Sequence, residues 1–592
     1  MAAFGRGVPL NFFDETALAA PQPLDEKVQD APPPNRRPPH VTLVLLPKTT
    51  GVAELVRDGF SPGLLSAGLG SVPAEQTYLD VSQGNRVFDS LYDEELPRDV
   101  GGGMCGPAYS KAVVERAESA PADIKPGLLA ATLGRAGEKC SVKSASRRAL
   151  SRLVRGLRGD DLLIAIERAP PAKNGALAIG IAGRGFHGEL TSDSTRTKGY
   201  VLSTDIAPTI LRRFGIAAPA AMSGQPIRGE GSVDVAELAS LASRMASISE
   251  RRGPVIGIGL AVWLLALALA VLLTQGQAAR TAVRLTGLSV VYLPLVLLLC
   301  AALEPSQGAE RLLVLVGAPV CAAITLAVAR GYRALAVASA LVVLAYAVDV
   351  VAGSPLTALS LLGPNPGLGV RFYGIGNELE ALLTVLIVAG AGVGVQAFAP
   401  RLPPRTIAAA FLAVGLGFAL VFAAGRFGAD VGAAIAIPIG AAAAASKVAT
   451  PQRHAALSII AISLAFVGLV SLIDLISGAN AHLTRSVLDA GGLDDLAQVA
   501  ERRLRLSAHS FARPVVLLFL PLVAVAAVLA VRRRQSLRRW LRDVPAVEAG
   551  LFGALVAIVA GTLANDSGAL VLEVGGAYLL VFTGYAWAEA PP

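Results

Sequence analysis

Apolar and polar positions divide this chain in two. From Val255 onward, long apolar runs recur, each long enough to cross a hydrocarbon core that needs roughly 20 apolar residues. Eleven runs are read, near 255–274, 286–303, 311–329, 334–353, 379–398, 406–424, 430–446, 455–476, 514–531, 547–563 and 569–588. Strands are excluded there, because open sheet edges cannot sit in lipid. Ahead of Val255 the pattern is different. HVTLVLL (40–46), DLLIAIE (161–167) and GALAIGIAG (175–183) are continuous apolar runs that read as buried parallel strands. Between the first two lie the helical patterns KAVVERAE, KPGLLAATLGRAG and ASRRALSRLVRGL, and strands alternating with helices predict a sheet covered on both faces. The expected organisation is a disordered Pro-rich segment (1–39), an α/β domain (40–235), a linker (236–254) and an all-α polytopic membrane domain (255–592) of about eleven transmembrane helices.

Loop charge orients these spans. The odd-numbered loops carry Arg280 and Arg284, Arg330 and Arg333, Arg401 and Arg405, Lys447, Arg453 and His454, and the dense run RRRQSLRRWLR (532–542). Lys and Arg in short loops mark the cytoplasmic side. The C-terminus is then cytoplasmic and the amino-terminal domain extracytoplasmic, in a multi-pass protein of the cell membrane. An external domain needs export, and residues 1–40 show no apolar leader. Three readings stay open: a start upstream of Met1, a first span that exports its own N-terminus, or an inverted topology with the domain in the cytoplasm. Cys105 and Cys140 are the two cysteines of the domain, either a disulfide pair in an oxidising compartment or two separate buried thiols. The composition agrees with a membrane protein: 53% of the chain is hydrophobic and 16% charged. The net charge of +8 sits largely in the loops read as cytoplasmic, so it does not argue for nucleic-acid binding. The bilayer is the expected partner.

Ionisable groups at or inside spans are functional candidates by default, because they are costly there. They cluster at the ends read as external. RFYGIGNELE supplies Arg371, Tyr373, Asn377 and Glu378, GRFGAD supplies Arg426 and Asp430, His482 and Arg485 follow the eighth span, and ANDSG supplies Asn565 and Asp566. Glu378 and Glu380 are two apart, hence about 200° apart on a helix. Glu378 is read as the inward member. Arg426 and Asp430 are four apart, which on a helix places them on one face. Asp349, Asp474 and Glu573 are single carboxylates within spans. The chemistry implied is Arg371, Arg426 and Arg485 holding a phosphate through forked hydrogen bonds, with Tyr373, Asn377 and Asn565 lining the substrate. Glu378, Asp430, His482 or Asp566 would move a proton, and Asp566 is also a donor for a divalent metal in the membrane domain. The plainer alternative is that these are turn residues and a structural Arg–Asp pair.

Two stretches resemble known families. STDIAPTILRRFGI (203–216) resembles the segment that opens a late helix in the alkaline phosphatase superfamily, and the surrounding order of strands over 40–230 fits that fold. The resemblance implies two metals held by Asp and His. Here the first strand ends Leu46-Pro47-Lys48 and a later one reads Ile166-Glu167-Arg168-Ala169, so Lys48 and Arg168 stand where ligands should be. A catalytically degenerate domain is expected. RFYGIGNE, GRFGAD and ANDSG resemble motifs of an uncharacterised family of bacterial multi-span envelope proteins with a phosphatase-like domain. The layout is also similar to that of the ethanolamine-phosphate transferases of glycolipid anchor synthesis. The function expected is an outward-facing transferase or ligase acting on a lipid-linked or phosphate-containing envelope precursor. The alternatives are a transporter or flippase of an envelope lipid or polymer, and an active metal-dependent phosphatase in the amino-terminal domain.

Overall fold

The computed structural model describes residues 39–591, apart from positions 49, 121, 173–174 and 450–451 and much of 477–530. The segment 1–38, His482, Arg485 and most of the ninth run at 514–531 lie outside the described residues.

The amino-terminal half is a mixed α/β domain. Its strands are β1 (Val41–Leu46), β2 (Ser61–Ser66), β3 (Cys140–Ser144), β4 (Leu162–Glu167), β5 (Leu177–Gly183), β6 (Glu189–Thr191), β7 (Tyr200–Leu202) and β8 (Arg228–Glu230). Six of them form one sheet in the order β3-β1-β4-β5-β2-β7, while β6 and β8 pair separately. Helices α1 (Val52–Arg57), α2 (Ala74–Gln83), α3 (Lys111–Glu118), α4 (Leu128–Arg135), α5 (Arg147–Arg155) and α6 (Ile206–Arg213) complete it, with apolar clusters on both sheet faces. The three strands read from sequence are all present, but β5 runs antiparallel to β4, not parallel. The connection 168–176 is too short for the crossover that a parallel pair requires. β2, SPGLLS, is fully buried, although its Pro62 and Gly63 argue against a strand. The Gly183–Gly188 run ends β5 and turns into β6 with no helix following it. A disulfide joins Cys105 to Cys140, at the start of β3.

A single helix, α7 (Val235–Leu273), carries the chain from this domain into the membrane half. Asp234 caps it, accepting from the Ala236 and Glu237 amides at 2.9 and 3.0 Å. The stretch 236–254, expected as a linker, is thus the first half of a continuous helix of 39 residues. At 1.5 Å per residue it is about 60 Å long, roughly twice a hydrocarbon core. The other membrane-half helices are α8 (Gln277–Leu303), α9 (Gln307–Leu312) continuing through a π-turn into α10 (Ala318–Val328), α11 (Tyr332–Val351), α12 (Asn377–Phe398), α13 (Pro404–Ala423), α14 (Val431–Ala449) and α15 (Gln452–Ile476). They are followed by α16 (Arg534–Leu541), α17 (Pro545–Ala564) and α18 (Gly568–Glu589). Among the described residues, ten helices are long and apolar enough to span a bilayer, which makes this a multi-pass membrane protein.

The two ends of the bundle differ as the loop charges predict. At one end lie the basic loops, where Arg284 meets Glu589 at 2.6 Å, Lys447 meets Glu548 at 3.3 Å and Arg333 donates to the Ala397 carbonyl at 3.4 Å. At the other end sits the α/β domain. Much of its contact is with the segment 365–376 between α11 and α12, and Arg196 reaches the Gly425 and Arg426 carbonyls besides. The Tyr200 hydroxyl donates to the Pro366 carbonyl at 3.0 Å, the Gly70 amide to Leu368 at 2.7 Å, and the Arg86 guanidinium to Gly369 at 2.7 Å. Phe372 packs beside Tyr200 and under Arg86. A side chain at Gly369 would stand 2.0 Å from the Gly68 carbonyl, so only glycine permits this approach. The docked edge is the one where β2 and β7 end. In open α/β sheets, ligands bind in the crevice outside the carboxyl ends of the strands.

Candidate functional site

Three membrane helices, α12, α14 and α18, begin at the end facing the α/β domain, and the polar residues sit in their first turns and the loops just before. Asp430 precedes α14 and accepts from the Ala433 amide at 2.8 Å, capping it. Asn565 ends α17 and accepts from the Ser567 amide at 3.0 Å, shaping the turn into α18. Glu380 lies in the first turn of α12. Helix N-termini favour negative charge, so each carboxylate has a local reason to sit there.

Their mutual geometry is closer than local capping requires. Glu380 and Asp430 are 0% and 1% exposed. Asn565 Nδ2 donates to Glu380 Oε2 at 2.8 Å and approaches Asn377 Oδ1 at 3.3 Å, while Asn377 Nδ2 reaches Asp566 Oδ1 at 3.3 Å. Arg371 Nη1 donates to Asp430 Oδ2 at 2.7 Å and to the Ile375 carbonyl. The loops bearing Arg371 and Asp430 are joined by a hydrogen bond from the Ile375 amide to the Gly428 carbonyl at 3.2 Å. A methyl group at Gly432 would lie 2.5 Å from Glu380 Oε2, so this glycine makes room for the carboxylate. Glu380 Oε1 is buried and has no hydrogen-bond partner. Buried polar atoms are rarely left so, and each such atom calls for an explanation.

Several expected site residues therefore meet: Arg371, Asn377, Asp430, Asn565 and Asp566. Glu378 does not point inward with them. It faces away and pairs with Arg252 of α7 at 3.1 Å, and Glu380 takes the inward place. The two glutamates do part company on α12, as their 200° offset requires, but nothing near them in sequence revealed that Arg252 would claim Glu378. Arg426 and Asp430 do not share a helix face. Residues 424–429 form a turn with Ala429 in the left-handed region at φ 51°, so four-residue spacing brings nothing together there. Arg426 is exposed, and Asp430 pairs with Arg371 instead. Tyr373 lies against the Arg196 guanidinium, 4.2 Å from it, at the contact with the α/β domain. Asp349 is buried and accepts from the Leu356 and Thr357 amides at 3.1 and 2.7 Å, a fold-holding role in the loop after α11. Glu573 lies in α18 with Oε1 buried and without a partner.

In the α/β domain, Lys48 and Arg168 are exposed at the ends of β1 and β4. Glu167 accepts from the Ala178 amide at 3.0 Å. Burial pushes its carboxyl up, against that hydrogen bond and the nearby Lys48. Among the described residues, no three His, Cys, Asp or Glu side chains gather as a metal site would require. Asp205, within the 203–216 motif, is fully buried and accepts four hydrogen bonds: from Ser192 at 2.6 Å, Ser194 at 2.5 Å, and the Leu202 and Gln225 amides at 2.9 Å each. Desolvation raises its carboxyl above the usual range while these donors oppose the rise. It ties the entry of α6 to the neighbouring loops and is structural. Asp80 on α2 is also buried, held by Gln76 at 2.8 Å and Gln83 at 3.2 Å, and burial pushes it up to about 7. No protein-family model, curated protein or solved structure matches the chain.

Proposed function

We propose that this chain is an outward-facing transferase or ligase of the bacterial cell envelope, acting on a lipid-linked or phosphate-containing precursor. Its reaction centre is the cluster of Glu380, Asp430, Asn377, Asn565, Asp566 and Arg371. The observation that carries this reading is the Glu380 carboxylate, enclosed, oriented by Asn565 through one oxygen and left without a hydrogen-bond partner at the other. Such an oxygen is suited to take the proton of an acceptor hydroxyl. The hydroxyl oxygen then bonds to the donor carbon or phosphorus as the phosphate-bearing leaving group departs with its electron pair. The depth of the cluster favours this over transport. It lies in the first turns of the helices, at one end of the bundle, whereas coupling sites of transporters lie near the midplane. Arg426, exposed on the adjoining turn, is available to a phosphate.

Two features support an external location for this end. The basic loops gather at the opposite end, as they do on cytoplasmic faces. The Cys105–Cys140 disulfide suits an oxidising compartment. The α/β domain acts as a docking body and not as a phosphatase. The strand-end edge that would serve a ligand is occupied by residues 366–369, and cations stand at Lys48 and Arg168. The test is the lipid-linked intermediate pool of a strain lacking the chain. Wild-type protein should clear the accumulated precursor and Glu380→Gln, inserted at equal level, should not. Clearance by Glu380→Gln would sink the reading.

A further inference from the structure

Arg196 belongs to the turn before β7, among residues that no catalytic argument uses. It is exposed and has φ 53°, a left-handed backbone that non-glycine residues rarely adopt. Yet its side chain crosses to the membrane half and touches two separate loops there. Its Nη1 donates to the Gly425 and Arg426 carbonyls at 3.3 and 2.9 Å, and its guanidinium lies 4.2 Å from the Tyr373 ring centroid. The first loop leads into Asp430, and the second contains Arg371. Arg86 adds a second hold on the Arg371 loop, through the Gly369 carbonyl at 2.7 Å and the Phe372 ring. Arg371 is therefore flanked on both sides by residues that the α/β domain holds.

We propose that Arg196, assisted by Arg86, is a positioning residue: it clamps the 371–374 and 425–428 loops together so that Arg371 stays paired with Asp430. The α/β domain would then be part of the membrane site, setting its charge balance from above. When the clamp is released, Asp430 loses its cation and stands beside Glu380 as a second uncompensated carboxylate. The consequence for catalysis rests on the transferase reading, but the clamp itself can be read without any activity.

The experiment uses the full chain in native membranes and the hydrophobic reagent dicyclohexylcarbodiimide, with labelling of Asp430 measured by peptide mass spectrometry. A carboxylate held by Arg is spared by this reagent. Wild-type protein should show little labelling at Asp430, and Arg371→Ala should show strong labelling. Arg196→Ala should raise labelling about fivefold, the factor that roughly 1 kcal/mol of lost contact gives. Arg196→Lys, which keeps a cation over Tyr373 and a donor for the carbonyls, should return it most of the way. Gly369→Ala, which forces the docked backbones apart from the other side, should act like Arg196→Ala. Because Arg196 is exposed, its removal should shift the thermal unfolding of the chain by no more than that one lost contact accounts for. Labelling that stays at the wild-type level in both Arg196→Ala and Gly369→Ala overturns the proposal. So does an Arg371→Ala protein that remains unlabelled, since the pair then protects nothing. Precursor pools indifferent to Glu380→Gln would defeat the transferase reading and leave this result intact.

Discussion

Asp205 and Glu380 are both carboxylates with no exposed surface, one in the α/β domain and one at the end of the membrane bundle. Asp205 accepts four hydrogen bonds and joins three segments of chain. Glu380 accepts one from Asn565, has two glycines against it and leaves an oxygen unsatisfied. Burying a carboxylate is costly unless hydrogen bonds replace its water. The first site offsets much of that cost within the fold and the second offsets little of it. A saturated buried acid explains itself by stability, whereas an unsaturated one is retained for something else.

The contrast can be broken most forcefully at Asp205. Asp205→Ala strands four donors, two of them amides, and should cost about 4 kcal/mol or more of domain stability, seen as a large drop in Tm in detergent. A small change there would remove the structural half of the comparison. At the bundle end, Arg371→Ala leaves Asp430 buried without its cation. Because Arg371 is about one-third exposed, the loss should fall near the low end for a broken buried pair, about 3 kcal/mol. Arg371→Ala with Asp430→Asn should recover most of it. Thermal unfolding of the four proteins in that cycle measures the coupling, and additive losses would show that the two side chains do not interact.

A shallower effect is expected at Asp80. Burial lifts its carboxyl from 3.8 to about 7, with Gln76, Arg86 and Gln83 opposing. Its folded-state value is thus above the unfolded one. The associated stability is present in full below pH 4, declines as the pH rises towards 7 and is lost above it. Asp80→Asn should flatten the fall in Tm between pH 4 and pH 8, with its advantage over wild type largest at the alkaline end. Parallel profiles for the two proteins would contradict this.

Much of the fold was legible from period and length. The helix pattern KAVVERAE matches α3 residue for residue, and α6 opens within the 203–216 motif that was read as a helix opening. Among the described residues, ten of the runs stand as helices, bounded by the loops whose charges alternate. What failed was long-range pairing. β2 was hidden by Pro62 and Gly63, and the direction of β5 depended on a loop length that was there to be read. The site was legible in its residue types, since Arg371, Asn377, Asp430, Asn565 and Asp566 do converge. Its partners were not. Glu378 looked inward until Arg252, on a helix entering from the α/β domain, claimed it, and Arg426 looked paired to Asp430 only because the segment was read as helix. Arg196 gave no signal, because its role exists only where two halves of the chain meet.

Glu380 is kept for chemistry and at a cost to stability on this reading. The direct measurement pairs thermal unfolding with complementation for Glu380→Met, a substitution of similar volume without a carboxyl group. If the unsatisfied carboxylate is a burden, the variant should unfold at the wild-type temperature or above it, by up to about 1–2 kcal/mol, and should fail to restore function. A variant that loses several degrees of Tm while it still complements would place Glu380 with Asp205 among the groups that hold the fold.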